Sequence, residues 1–512
     1  MTRELVFTDL CVTSARKSLL STVSGSLQAG ELVAVVGRSG SGKTMLTKAI
    51  MGLLPAQLEL TGQVVLDGQR IDQLKSQDMD QVRGQRIGML FQQPKRVLNP
   101  RLSIRAHMLE ALGAYGWGKS RLHEAKIHSL LEEVGLFPAA EIAGKLPDQL
   151  SGGMAQRAML AIALAADPDF ILADEPTSSL DSTLKAEVLQ LLRSKQQERS
   201  LGVLLITHDI SSIRSIADRV VMVSDGAIVD QCSTTELFAE DRHPLTQELV
   251  QASLPATHPG REVSATALLQ SVEAGKNYTR KAKGPAALAP TTLTLHTGEI
   301  LGVVGRSGSG KSTFARLLAG LEKPSTGQII APEGTTEIPA VQVISQEPYA
   351  SFDPRLPLRT GLLAAVHRLP AEQATDEIMQ ALAKVGLPPE LLERKPGQCS
   401  GGQLQRMSIA RALLVKPQVL ICDESTSALD SVAQRHILDL LLELREQLGV
   451  GLVVISHDLE VIRYVSDSVA VFFEGRLVEH RSLGDFLSSP EHPHSKDLVA
   501  ALDRSGPVQP AR

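Results

Sequence analysis

GRSGSGKT at residues 37–44 follows the apolar run LVAVV (32–36), and GRSGSGKS at 305–312 follows ILGVV (300–304) in the same way. Each fits G-x-x-x-x-G-K-[ST] between a strand pattern and a helical one, the context in which such a loop cradles phosphate. Gly37, Gly40 and Gly42, with Gly305, Gly308 and Gly310, let the backbone curl so that its N–H groups face phosphate oxygens. Ser39, Ser41, Ser307 and Ser309 lie within the same loops. The helix that follows adds the positive end of its dipole. Lys43 and Lys311 suit the β- and γ-phosphates, and Thr44 and Ser312 suit a Mg²⁺ ion. A single match could be a Gly-rich turn; two matches in strand–loop–helix context are not.

The rest of the chain repeats as well, which fixes its organisation. LSGGMAQR (150–157) is matched by CSGGQLQR (399–406), ILADEPTSSLD (171–181) by ICDESTSALD (421–430), and LLITHD (204–209) by VVISHD (453–458). Ser151, Glu175 and His208 are each 249 residues before Ser400, Glu424 and His457, whereas the two loop lysines are 268 apart. The first copy therefore carries 19 more residues between its phosphate loop and its SGG motif. Copies this long are globular units, not solenoid repeats. The expected division is 1–251, a linker at 252–265 containing two prolines and a glycine, 266–500, and a flexible tail at 501–512. Short apolar runs such as FILA (170–173), VLLIT (203–207) and LVVIS (452–456) alternate with amphipathic helical stretches, predicting parallel α/β sheets. Each copy closes with a predicted hairpin, turning at Asp225-Gly226 and at Glu474-Gly475.

Asp174-Glu175 and Asp423-Glu424 directly follow apolar strands, so each carboxylate pair is held beside a phosphate loop. In that position the Asp serves Mg²⁺ and the Glu polarises an attacking water. Two acidic residues at the start of a loop are usually only a solvated surface, but the downstream Ser-Leu-Asp, Ala-Leu-Asp and His residues argue otherwise.

Composition removes several alternatives. The 512 residues are 43% hydrophobic and 21% charged, enough apolar material for two cores and too little bias for a disordered chain. A net charge of −5, with no dense Lys/Arg run, speaks against a nucleic-acid partner. Four scattered cysteines contain no C-x-x-C pair, so free thiols are expected and zinc or iron–sulfur ligation is not. No apolar stretch reaches the ~18–20 residues of a membrane span, and MTRELVFTDL carries acidic residues and lacks the apolar run expected of a signal peptide.

With these motifs in one order, the chain resembles the ATP-binding cassette (ABC) ATPases over nearly its whole length. The resemblance implies two tandem P-loop NTPase domains. Each would have a mainly parallel sheet, an antiparallel β subdomain and a helical subdomain. It implies a pseudo-dimer within one chain, a head-to-tail sandwich holding ATP and Mg²⁺. Ser151, Gly152 and Gly153 would cap the ATP on Lys311, and Ser400, Gly401 and Gly402 the ATP on Lys43. Gln92 in FQQP and Gln346 in SQEP would touch Mg²⁺ and the attacking water. His208 and His457 would bond the γ-phosphate, and Asp181 and Asp430 would carry communication between the halves. Tyr278 takes the place of the adenine-stacking aromatic in the second half; LCVTSARKS (10–18) offers none in the first. Met154, Cys399 and Ser425 depart from the family pattern without removing a catalytic group.

Within that family, FQQPKRVLNP (91–100), SQEPYASFDP (345–354) and the HPLT and HPHS segments at 243–246 and 492–495 resemble ATPases of peptide and nickel importers. The resemblance implies an energy-coupling subunit for nickel, a metal chelate or a di- or oligopeptide. It would lie on the cytoplasmic face of the membrane with two permease subunits and an extracytoplasmic substrate-binding protein. The other class, soluble twin-cassette ATPases of ribosomes or nucleic acid, has long charged arms or zinc-binding cysteine clusters that are not evident here. His492 and His494 repeat the place of His243 and Leu245, so a metal site there is not expected.

Overall fold

The computed structural model describes residues 3–15, 17–113, 121–178, 180, 182–253, 263–278, 286–306, 308–331, 338–426 and 429–505. In the first unit, β1 (Glu4–Ser14) and β2 (Lys17–Gln28) alternate apolar and polar residues, as strands with one face buried must. The alternation slips at Asp9, which takes a left-handed φ of 51° in a bulge between Phe7 and Leu10, so that Leu5, Phe7, Leu10 and Val12 are all buried. After β3 (Leu32–Val36) come β4 (Glu59–Leu66) and β5 (Gln69–Arg70), completing an antiparallel sheet in the order β2-β1-β4-β5.

The second sheet contains β6 (Ile87–Leu90), β7 (Phe170–Asp174), β8 (Gly202–Ile206), β9 (Arg219–Ser224) and β10 (Ala227–Ser233) in the order β10-β9-β3-β8-β7-β6. All its neighbours are parallel except the closing β9–β10 hairpin. Strands β3, β7 and β8 are buried at every residue, the burial expected of parallel strands covered on both faces. The hairpin turns at Asp225 and Gly226, both at positive φ (48° and 79°), which suits the right-handed twist of its strands. Between β6 and β7 the chain builds helices Ile104–Gly113, Arg121–Glu133, Ala139–Gly144 and Gly152–Leu164.

The second unit follows the same plan. Strands β11 (Ala267–Lys276), β12 (Leu288–His296) and β14 (Thr326–Ile330) form the antiparallel sheet, with β13 (Ile300–Val304) leading into the phosphate loop. Then β15 (Val341–Ile344), β16 (Val419–Asp423), β17 (Gly451–Ile455), β18 (Ser468–Phe473) and β19 (Arg476–Ser482) complete the order β15-β16-β17-β13-β18-β19. Leu301 and Val303 pack one face of β13 with Phe314, Leu317 and Leu318 of helix Lys311–Leu318. Ile300 and Val304 pack the other face with Ile437, Leu441 and Leu444. The largest share of the first copy's extra residues falls between β4 and β6, in β5 and the helical segment Ser76–Gln85.

By contact density the chain divides into Met1–Leu254 and Pro255–Arg512. Most of the expected linker lies outside the described residues. Helix Pro493–Ser505 runs past the expected boundary at 500, because Leu502 continues its buried face after Leu498 and Val499. A carboxylate on the closing strand pins each C-terminal helix. Asp230 accepts from His243 N and Thr246 Oγ1 (3.2 and 2.8 Å), and Glu479 accepts from Glu491 N and His492 N (both 3.0 Å). The rings of His492 and His494 lie against Phe473. Among the described residues no cluster of metal-ligating side chains occurs, and no helix is long and apolar enough to cross a membrane.

Candidate nucleotide-hydrolysis sites

Both phosphate loops are formed in the conformation that the glycines permit. A Cβ on Gly37 would lie 2.1 Å from Val223 O, and one on Gly305 2.1 Å from Phe472 O, so no side chain fits where the loop leaves its strand. Gly42 and Gly310 precede the helices Lys43–Ile50 and Lys311–Leu318 at φ 104° and 101°, a conformation strained for any residue with a Cβ. Lys43 Nζ donates to Gly37 O and Arg38 O (2.8 and 2.9 Å), and Lys311 Nζ to Gly305 O and Arg306 O (2.7 and 3.0 Å). Each buried ammonium thus lies across its own loop, which concentrates positive charge where phosphate oxygens would sit. Ser307 lies outside the described residues.

The carboxylates converge on these loops. Thr44 Oγ1 donates to Asp174 Oδ1 at 3.1 Å, and Ser312 Oγ to Asp423 Oδ1 at 3.3 Å. Burial pushes the Asp174 and Asp423 carboxyls above their ordinary values, and the adjacent Glu175 and Glu424 charges add to the rise. A hydroxyl beside a buried carboxylate is an oxygen pair that fits a hard divalent cation.

Glu175 and Glu424 hold φ of 43° and 48°, left-handed values that are costly for glutamate and that accumulate at functional sites. His208 Nδ1 is 3.3 Å from Glu175 Oε1, and His457 Nδ1 is 3.5 Å from Glu424 Oε2. Gln92 Nε2 donates to Glu175 Oε2 at 3.2 Å, and Gln346 Nε2 to Glu424 Oε2 at 3.1 Å. Burial would raise Glu175, but the His208 hydrogen bond and the charges of His208, Lys43 and Lys185 hold it below its usual value. Glu424 is held low chiefly by its His457 hydrogen bond, against burial, with help from Lys311. The structure therefore joins loop lysine, Asp, Glu, Gln and His into one constellation in each unit.

The SGG motifs begin helices Gly152–Leu164 and Gly401–Leu413 with Ser151 and Ser400 as N-caps. Ser151 Oγ accepts from Met154 N and Ser400 Oγ from Gln403 N, both at 3.2 Å. Gln403 also returns a bond from Ser400 N at 3.0 Å, which Met154 cannot do. Asp430 caps helix Ser431–Leu448 by accepting from Ala433 N at 2.9 Å; Asp181 lies outside the described residues. Tyr278 is 55% exposed, its hydroxyl donating to Glu322 Oε2 at 2.8 Å, with Lys276 Nζ 5.4 Å from its ring centre.

One element near the site escapes motif reading. Lys185, on helix Ser182–Arg199, forms an ion pair with Asp209, the residue after His208. The constant offset of 249 residues aligns Lys185 with Gln434, a difference that does not by itself point to Asp209.

The ABC transporter family matches residues 20–178 and 288–427 of the chain. An uncharacterized ABC transporter ATP-binding protein, YejF of Escherichia coli K12, is 35% identical over 94% of this chain and 96% of its own length. The glutathione import ATP-binding protein GsiA of Salmonella typhimurium is 34% identical over 95% of this chain and 86% of its own. Among solved structures, an archaeal ribosome recycling factor, aABCE1, in complex with the stalk protein aP1 shares the fold. Its TM-score is 0.64 and its identity 22%, covering 94% of this chain and 92% of the other.

Proposed function

The chain belongs to the ABC transporter family and is an ATPase with two ATP-binding domains; from that premise we propose that it is the energy-coupling subunit of a membrane importer for short peptides of the glutathione type. The observation that carries this reading is the 34% identity to a glutathione import ATP-binding protein across nearly the whole of both chains. The glutathione import protein reported above favours this cargo class over nickel or a metal chelate. The likeness to the ribosome recycling factor is one of fold.

In this reading Lys43 and Lys311 hold the β- and γ-phosphates. Thr44 with Asp174, and Ser312 with Asp423, hold Mg²⁺, joined by Gln92 and Gln346. Mg²⁺ supplies charge neutralisation on the phosphate oxygens. Glu175 and Glu424 are ionised and accept hydrogen bonds, so each is suited to orient a water and take its proton as that water attacks. His208 and His457 lie against those glutamates and are placed to bond the γ-phosphate. Ser151–Gly153 and Ser400–Gly402 present a capped helix N-terminus to an anion. Tyr278 stacks adenine in the second unit. Asp181 and Asp430 communicate between the units. The partners are two membrane permease subunits and an extracytoplasmic binding protein, with this chain peripheral on the cytoplasmic face.

Uptake of labelled glutathione and a labelled dipeptide, in cells with and without the gene, tests the reading. Loss of either uptake on deletion, restored by the wild-type gene and not by Glu175→Gln/Glu424→Gln, is expected. Unchanged uptake of both on deletion would exclude the peptide cargo. In purified protein the double variant is expected to bind ATP and lose hydrolysis; normal hydrolysis would remove the glutamates from their assigned role.

A further inference from the structure

Lys185 stands in the first turn of helix Ser182–Arg199, and its ammonium reaches the Asp209 carboxylate. Asp209 is also the N-cap of the turn Ile210–Ile213. Its oxygens accept from Ser212 N at 3.3 Å, Ser211 Oγ at 2.5 Å and Ser212 Oγ at 2.7 Å. On the other side of His208, Thr207 N donates to Val35 O of β3 at 3.2 Å, and Thr207 Oγ1 accepts from Asp209 N at 3.1 Å. The backbone carrying His208 is thus tied to the central sheet through one neighbour and to the helix through the other. Asp209 is held far below the ordinary carboxylate range: burial opposes this, but Lys185 and the two serine hydroxyls outweigh it.

The second unit repeats the plan without the clamp. The position 249 residues on from Lys185 is Gln434, whose Nε2 donates to Thr426 Oγ1 at 3.4 Å. Asp458 still caps its helix, accepting from Glu460 N at 2.9 Å, and its own N–H donates to Ser456 Oγ at 3.0 Å. Among the described residues no lysine or arginine pairs with it. Val303 O holds Ser456 N at 3.1 Å, so the tie to the sheet remains and only the tie to the helix differs.

We propose that Lys185 is a positioning residue for ATP hydrolysis in the first unit: by clamping Asp209 to helix Ser182–Arg199 it fixes His208 against Glu175, and the first unit turns over faster than the second. The inference rests on the roles given above to Glu175 and His208. Its physical basis is that a reacting group held in place beforehand need not be ordered during the reaction, while small misplacements at such a site lower rates steeply.

Vanadate trapping from 8-azido-ATP on the full chain, with the label assigned to either unit by peptide mass, measures turnover unit by unit. Lys185→Gln is expected to lower the first unit's share relative to the second by about tenfold. Lys185→Arg, which keeps the charge on a larger planar group, should lose less of the first unit's share than Lys185→Gln, separating positioning from general loss of structure. Gln434→Lys, which leaves the first unit untouched, should raise the second unit's share. An unchanged ratio in Lys185→Gln, equal damage in Lys185→Arg, or no response in Gln434→Lys would overturn the proposal. Glu175→Gln/Glu424→Gln runs alongside. Trapping that persists there contradicts the glutamate assignment itself, whereas trapping lost there with an unchanged Lys185→Gln ratio contradicts the role of Lys185 alone.

Discussion

Asp174 shows how a single residue bears two opposed demands. Its carboxyl is raised by burial and by Glu175, so its ionised form costs the folded chain more than the unfolded one. A raised carboxyl subtracts stability increasingly as pH climbs through the folded value, and subtracts nothing below the ordinary carboxylate range. Asp174→Asn, which keeps the acceptor for Thr44, should therefore melt higher than wild type at pH 7.5 without nucleotide. The gap should narrow as pH falls toward about 4. The same change should lower Mg²⁺-dependent kcat by at least about a hundredfold. A neutral-pH melt below wild type would contradict the electrostatic account. At this scale the lysines, carboxylates and histidines were legible because each motif specifies a strand end or a helix start. Lys185 was not: one lysine on an amphipathic helix reads as solvated, and only the tertiary contact with Asp209 distinguishes it.

Among the elements, the two SGG helices differ in a way that can be measured. The second carries a full capping box between Ser400 and Gln403; the first has only the serine half, because Met154 cannot accept from Ser151 N. Met154→Gln should complete it and stabilise that helix start by ~0.5–1 kcal/mol, read as slower amide exchange over residues 151–155. Unchanged exchange would mean the terminus is already fixed by tertiary contacts. The strands were legible for a related reason: runs such as LVAVV and VLLIT are too short for helices and too apolar for one exposed face. The end of the last helix was not, since Asp503 and Arg504 resemble a polar tail while Leu502 is buried.

For the whole molecule, the two units share the order of their six-stranded sheets and one site constellation yet differ at Lys185/Gln434, at Met154/Gln403, and at Tyr278, which has no aromatic counterpart in the first unit. Lys43→Ala and Lys311→Ala should therefore lower the ATPase rate of the full chain by different factors; equal losses would argue for equivalent sites. The repeat made the two-domain plan legible from sequence, whereas cargo was not, because the repeated motifs carry only phosphate and divalent-cation chemistry. The most direct measurement of the central claim is to purify the tagged chain from detergent-solubilised native membranes and assay ATP hydrolysis on what accompanies it. Two polytopic membrane proteins, with hydrolysis stimulated by a binding protein loaded with short peptide, are the predicted result. Recovery with ribosomes and without a membrane partner would contradict it.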